Sequence, residues 1–462
     1  MEFANKTIHF IGIGGAGVSG LARVALEAGA SVSGSDLKAS PITQALEEQG
    51  ARVSIGQRAE NLPRHVDFVV ATAAVRAGNP ELDEAMQRGL CVMKYAQALG
   101  ELTRGRANIC VAGTHGKTST TSMLAQILRG QGAGWIVGGE PLNLEASACW
   151  GSAPHFVMES CEYDRSFLHL HPSLVLLNNI EADHLDVYGD IEGVERGFAD
   201  FVARLPRHGT LLYNADDPRC VRAARQAHCR RVSFGQAEGA DWRLIGLDAS
   251  SGFAQAEVSC QGERMGALHL NVPGQVYAFN ALGALAAAHW AGCDSARALE
   301  ALREYRGVKR RFEMLGRFKG APVIDDYAHH PSAVKQLLQA ARDAFASRRL
   351  VAVFQAHQYQ RLNGFFEEFV HALALADRVL VMRTYAAREQ GVIPGIPEQA
   401  LCRELQALGV DALALENFGL AAAELDASTG PSDALVFIGA GDVNEIALEL
   451  LANQPCLTRS AA

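Results

Sequence analysis

Residues 109–121 read Ile-Cys-Val-Ala-Gly-Thr-His-Gly-Lys-Thr-Ser-Thr-Thr. A short apolar run, Ile109–Ala112, stops at Gly113. A Gly-Thr-His-Gly-Lys-Thr turn then leads into a helix-like run through Ser122, Met123, Leu124, Ile127 and Leu128. Strand, glycine turn, lysine, hydroxyl, helix is the layout of a phosphate-binding loop. In such a loop backbone N–H groups and the positive helix end face phosphate oxygens. The lysine reaches the terminal phosphates, and the next hydroxyl holds magnesium. Gly113, Thr114, His115, Gly116, Lys117, Thr118 and Ser119 are therefore expected to bind a nucleoside triphosphate. The general pattern has a glycine where Val111 stands, so Gly113 must make the turn. A glycine turn that merely caps a helix is the plainer alternative; Gly-Lys-Thr directly after a strand favours phosphate.

A second glycine turn lies near the start. Ile8–Ile13 is strand-like and ends in Gly12-Ile13-Gly14-Gly15-Ala16-Gly17; a helix follows over 18–28, and a second strand ends at Asp36. Gly12, Gly14 and Gly17 with Asp36 about 20 positions on fit a dinucleotide fingerprint. Taken alone, this motif suggests an NAD-dependent oxidoreductase, which leaves Lys117 and Thr118 unexplained.

The chain of 462 residues is too long for one core and implies two or three domains. With 48% hydrophobic and 20% charged residues it has an ordinary globular composition, and its net charge of −9 argues against nucleic-acid binding. No apolar run is long enough to cross a bilayer. Residues 1–6 lead directly into a strand, so no export signal is expected. The ten cysteines form no Cys-x-x-Cys pair and read as reduced, mostly buried thiols. The expected compartment is the cytoplasm.

Strands alternate with helices along the whole chain, so the expected class is α/β. Three domains are expected: 1–105, Rossmann-like; 106–311, a phosphate-loop domain with a small β excursion around 230–270; and 312–462, Rossmann-like again. The second boundary rests on the charged run near Arg306–Phe312.

Three clusters follow apolar strands, where an α/β sheet places its ligands. Glu159-Ser160-Cys161-Glu162 offers a carboxylate suited to magnesium. Asn178-Asn179-Ile180-Glu181-Ala182-Asp183-His184 combines imidazole and carboxylates, suited to a metal or a general base. Asp325-Asp326-Tyr327-Ala328-His329-His330-Pro331 is echoed by His357-Gln358-Tyr359-Gln360-Arg361. Lys309-Arg310-Arg311 could bind phosphate or be a solvated linker.

Together these residues resemble the Mur ligase family, the ATP-dependent enzymes that assemble the peptidoglycan stem peptide. The likeness runs from His9-Phe10-Ile11-Gly12 to Gly439-Ala440-Gly441-Asp442. It is strongest at Ala112–Thr118, Asn179–His184 and Asp325–Pro331. Within the family it points to the branch that joins L-alanine to the lactyl carboxylate of UDP-N-acetylmuramate through an acyl phosphate. The resemblance implies ATP and Mg2+, a monomer or weak homodimer, and neither nucleic-acid nor membrane partners. It reassigns Gly12, Gly14, Gly15, Gly17 and Asp36 to the UDP diphosphate. Lys117 would stabilise the transferring phosphate, Thr118 and Glu159 would hold one magnesium, and His184 would hold or order a second. Arg311 would close onto phosphate, while His329, His357 and Arg361 would line the amino-acid and acyl-phosphate site. Asn280 and Asp326 would contact the nucleotide.

The chain departs from the family at two places. The adenine motif, usually Gly-x-His-Asn-x-x-Asn-Ala, is Gly274-Gln275-Val276-Tyr277-Ala278-Phe279-Asn280-Ala281, and Tyr277 is expected to stack on the base. The usual Pro-His-Arg-Tyr-Thr-Arg is Ala356-His357-Gln358-Tyr359-Gln360-Arg361, which removes one arginine. Tyr163 also occurs in the branch that attaches a whole tripeptide, L-Ala-γ-D-Glu-meso-diaminopimelate, which is the alternative. A non-catalytic nucleotide-binding relative is a third reading.

Overall fold

The computed structural model describes residues 3–72, 75–387, 389 and 398–453. Met1, Glu2 and Cys456 lie outside them. The chain divides into two compact units. The first comprises Met1–Ile245, Glu257–Leu268 and Phe279–Tyr305; the second comprises Gly246–Ala256, His269–Ala278 and Arg306–Ala462.

The expected α/β class is what the chain adopts. The first unit opens with β1 (Thr7–Ile11), β2 (Ser31–Asp36), β3 (Arg52–Ile55), β4 (Phe68–Ala71) and β5 (Cys91–Lys94), ordered β3-β2-β1-β4-β5. Every neighbouring pair is parallel, so long crossovers return the chain between strands; α-helices supply them after β1, β2 and β4, and a loop with one 3-10 turn, Ala59–Asn61, after β3. β1 is central, and its last residue Ile11 is fully buried. The glycine turn therefore emerges at the carboxyl edge of the sheet.

Ten strands form the next sheet: β6 (Ala107–Ala112), β7 (Gly134–Ile136), β8 (Ala148–Cys149), β9 (His155–Glu159), β10 (Leu174–Leu177), β11 (Thr210–Asn214), β12 (Arg230–Gly235), β13 (Trp242–Asp248), β14 (Phe253–Cys260) and β15 (Glu263–Pro273). Their order is β15-β14-β13-β12-β11-β10-β6-β9-β7-β8. β6, β9 and β10 are parallel neighbours with continuous buried runs, as a sheet covered on both faces requires. The excursion expected around 230–270 is the β12–β15 edge.

The third sheet contains β16 (Glu313–Phe318), β17 (Ala321–Asp326), β18 (Arg349–His357), β19 (Arg378–Tyr385), β20 (Asp411–Leu415) and β21 (Asp433–Ile438), ordered β16-β17-β21-β18-β19-β20. Only the β16–β17 pair is antiparallel among these six strands. β21 enters last, between β17 and β18, so the clusters ending β17 and β18 flank one reversal of strand order.

Two local expectations differ. A short helix, Tyr359–Gly364, stands ahead of the helix Phe366–Leu373 and was not expected; the two are separated at Phe365, which takes φ −127° and ψ 33°. The described cysteines are all free, but only Cys110, Cys220, Cys293 and Cys402 are buried. No helix among the described residues is long and apolar enough to cross a membrane.

Candidate active site

The loop after β6 has the expected shape. Gly113 has φ 137° and Gly116 has φ 79°, a left-handed conformation that glycine adopts without strain. A Cβ on Gly113 would stand 3.0 Å from the Cβ of Asn178. One on Gly116 would stand 2.5 Å from the Asn280 Oδ1, so both positions lack room for a side chain. The helix Lys117–Leu128 starts there, and all its residues after Lys117 are buried. Its first N–H groups have no partner within the helix. The amides of Thr114 and His115 are already taken, by the Asn179 carbonyl (3.1 Å) and the Asn179 Oδ1 (2.8 Å).

Lys117 donates to the carbonyls of Gly113 (2.6 Å) and Thr114 (3.1 Å) and to Glu162 Oε1 (2.9 Å). Burial opposes its charge, but its neighbours, Glu162 foremost, more than offset this and hold its pKa above the ordinary lysine value. The Thr118 hydroxyl faces both oxygens of Glu159, at 3.1 and 3.0 Å. The Gly138 amide also donates to Glu159, at 3.0 Å. A hydroxyl and a carboxylate converging beside a phosphate loop are hard oxygen donors that fit Mg2+.

His184 begins a short helix with φ 53°. Its Nε2 lies 4.0 Å from Glu162 Oε1 and 3.8 Å from Asp183 Oδ2, and its ring meets Tyr163 edge-on at 5.0 Å. Lys117 and His184, both partly exposed, thus approach the buried Glu162 carboxylate from two sides. His115 pairs with Glu181 at 3.3 Å. Ser119 is buried, and its carbonyl accepts from Tyr305 at 3.5 Å.

At the N-terminal turn, the Gly12 and Ile13 amides both donate to the Ser35 carbonyl, at 2.8 and 2.9 Å. Gly15 donates to Gly12, and Gly14 donates to the Asp36 carboxylate at 2.8 Å. Asp36 therefore braces the turn through Gly14. A Cβ on Gly17 would stand 3.6 Å from the Tyr95 ring, an ordinary contact.

In the second unit another cluster assembles around Arg311. The Arg311 guanidinium lies 5.0 Å from the centre of the Tyr327 ring. Tyr327 meets His329 at 5.4 Å, His329 meets His357 at 5.8 Å, and Arg361 reaches His357 Nδ1 at 3.4 Å. Asp326 accepts from the Phe312 and Ala328 amides, both at 2.7 Å. Burial raises its pKa against the pull of Arg311. Asp325 beside it is ion-paired to Arg310 at 3.3 Å, and burial pushes it up to about 7.

Two sequence expectations need revision. Tyr277 is only 7% exposed, and its hydroxyl donates to the Arg311 carbonyl at 3.1 Å, so its ring offers no open face for a base. Glu162, expected only as a neighbour of Glu159, is the direct partner of Lys117. Asn178 was also unassigned, yet it donates to Thr120 Oγ1 (3.0 Å) and packs against Gly113. Its position just after an all-buried strand is the signal that marks it.

Comparisons with known proteins bear on this arrangement. Sequence profiles described as "Mur ligase family, catalytic domain", "Mur ligase middle domain" and "Mur ligase, glutamate ligase domain" match residues 7–107, 111–288 and 310–441. The UDP-N-acetylmuramate–L-alanine ligase of Desulforamulus reducens is 39% identical, covering 98% of both chains. That of Thermobifida fusca is 40% identical, covering 95% of this chain and 94% of its own. Among solved structures, UDP-N-acetylmuramate-alanine ligase MurC of Thermotoga maritima superposes with TM-score 0.79 at 28% identity, covering 96% of this chain and 98% of its own. A murein peptide ligase of Psychrobacter arcticus gives 0.72 at 26% identity, covering 98% of this chain and all of its own.

Proposed function

The chain belongs to the Mur ligase family, and from that premise we propose that it joins L-alanine to the lactyl carboxylate of UDP-N-acetylmuramate with cleavage of ATP. The observation that carries this is the phosphate cradle: Gly113 and Gly116 without room for a Cβ, Lys117 at the helix start, and Thr118 against Glu159. Near-full-length likeness to L-alanine ligases supplies the substrates.

The reaction runs in two displacements. A lactyl carboxylate oxygen attacks the γ-phosphorus of ATP, and ADP leaves. The L-alanine amine attacks the resulting acyl phosphate at carbon, the C–O bond to phosphate breaks as the tetrahedral intermediate collapses, and the proton shed by the amine passes to solvent. No side chain becomes covalently attached, so the protein contributes positioning and charge neutralisation. Lys117, which donates to Glu162 and to the carbonyls of Gly113 and Thr114, would exchange these partners for oxygens of the terminal phosphate. Thr118 and Glu159 would hold Mg2+, with His184 at a second site. Bound Mg2+ supplies charge neutralisation of phosphoryl oxygens.

The remaining roles rest on the family resemblance. Arg311 acts on phosphate; His329, His357 and Arg361 serve the acyl phosphate and the amino acid. Asn280 and Asp326 serve the nucleotide. Gly12, Gly14, Gly15, Gly17 and Asp36 serve the UDP diphosphate. The domain assignment follows: 1–105 for the UDP-sugar, 106–311 for ATP and 312–462 for the amino acid, in the cytoplasm. The test is incorporation of labelled L-alanine into UDP-N-acetylmuramate. Incorporation dependent on ATP and Mg2+ supports the reading; ATP binding without incorporation contradicts it.

A further inference from the structure

The backbone around Arg311 is held in an uncommon shape. Arg310 has φ 59° and Phe312 has φ 48°, so Arg311 sits between two left-handed residues that are not glycine. Such conformations persist only where the surroundings enforce them. Here almost every polar backbone group of the turn has its own partner. The Arg310 amide donates to Glu313 Oε2 at 2.7 Å, and the Arg310 carbonyl accepts from the Tyr327 amide at 2.7 Å. The Arg311 amide donates to the Val308 carbonyl at 3.0 Å. The Phe312 amide donates to Asp326 Oδ2 at 2.7 Å. The Arg311 carbonyl accepts from the Tyr277 hydroxyl at 3.1 Å.

Tyr277 is itself fixed. Its amide donates to the Gly274 carbonyl at 3.2 Å, and its ring is buried. The helix Gln275–Trp290 begins here, and a Cβ on Gly274 would stand 3.0 Å from the Cβ of Ala340, so the backbone just before the helix lies close against its neighbour within the second unit.

We infer that Tyr277 is a positioning residue for Arg311: its hydroxyl clamps the Arg311 carbonyl and so aims the guanidinium that lies over Tyr327. Asp326 clamps the following amide from the other side. The inference rests on the proposed phosphate role of Arg311. It gives Tyr277, where the sequence departs from the family's usual motif, a task other than base recognition.

Tyr277→Phe removes the hydroxyl and keeps the ring. It is tested in the full chain alone and in an Arg311→Gln background, with kcat from phosphate release, melting temperature, and hydrogen exchange of the peptide over 306–314. One lost buried hydrogen bond predicts a fall in kcat of about fivefold in the otherwise native enzyme. The same change should cost less than about 1.5-fold once Arg311 is Gln, since coupled residues are not additive. Exchange over 306–314 should quicken. An equal fall in both backgrounds, or unchanged kcat and unchanged exchange, overturns the inference. If the native chain releases no phosphate with its three substrates, the ligase reading fails instead. Exchange alone then decides the clamp: quickened exchange supports it and unchanged exchange overturns it.

Discussion

Lys117 Nζ lies 2.8 Å from the carboxylate of Glu162, and both side chains are almost closed to solvent. The lysine at the start of the helix Lys117–Leu128 is thus held by an internal anion. A buried lysine without a partner is strongly disfavoured, so Glu162 keeps Lys117 charged and in place.

Glu162→Ala is expected to destabilise the fold by about 3–5 kcal/mol, because it leaves a buried charge unpaired. Urea unfolding measures this. Stability within about 0.5 kcal/mol of native would mean that the pair is not buried in solution.

In the proposed reaction Lys117 meets the transferring phosphate, and Lys117→Met removes that cation. Phosphate release should fall by at least about 10²-fold, the scale of losing one preorganised electrostatic contact. Steady-state kinetics at saturating substrates check this, and a loss of less than threefold would remove Lys117 from the chemistry.

Thr118→Ala and Glu159→Gln each take a hard oxygen donor from one place. Both should raise the Mg2+ concentration giving half-maximal turnover, and Thr118→Ser should restore it. A Mg2+ titration reads this directly; unchanged midpoints in both variants would place the metal elsewhere.

Asp325 gives a pH prediction. Burial raises its pKa from 3.8 to about 7, with Arg310 opposing and Asp326 and Glu313 adding. Between these values the folded state holds the proton and the unfolded state does not. Stability from this group therefore falls as pH rises from about 4 to about 7. Asp325→Asn should flatten that slope in urea unfolding at pH 5 and pH 7.5. An identical slope in both proteins would contradict the assignment.

Much of this was legible in the sequence, for identifiable reasons. The loop at 113–118 could be read because its glycines answer a backbone need: Gly116 at φ 79° faces Asn280, and no other residue fits there without strain. The sheets could be read because buried parallel strands such as Leu174–Leu177 are continuous apolar runs. Partnerships across long separations could not. Glu162 lies 45 positions from Lys117, and Tyr277 lies 34 from Arg311. Neither spacing has a period, so only the fold reveals the pairing. The helix Tyr359–Gly364 was hidden because six residues are too few to show a helical period. Asp36 was legible as an acidic residue at the right distance, but its contact with the Gly14 amide was not.

The central claim concerns which acceptor the chain uses. Phosphate release should be measured with ATP, Mg2+ and UDP-N-acetylmuramate, comparing L-alanine with L-Ala-γ-D-Glu-meso-diaminopimelate. Release with L-alanine alone is the predicted result. Release with the tripeptide alone would contradict the account and assign the chain to the tripeptide-adding reaction, while release with neither would contradict its reading as an active ligase.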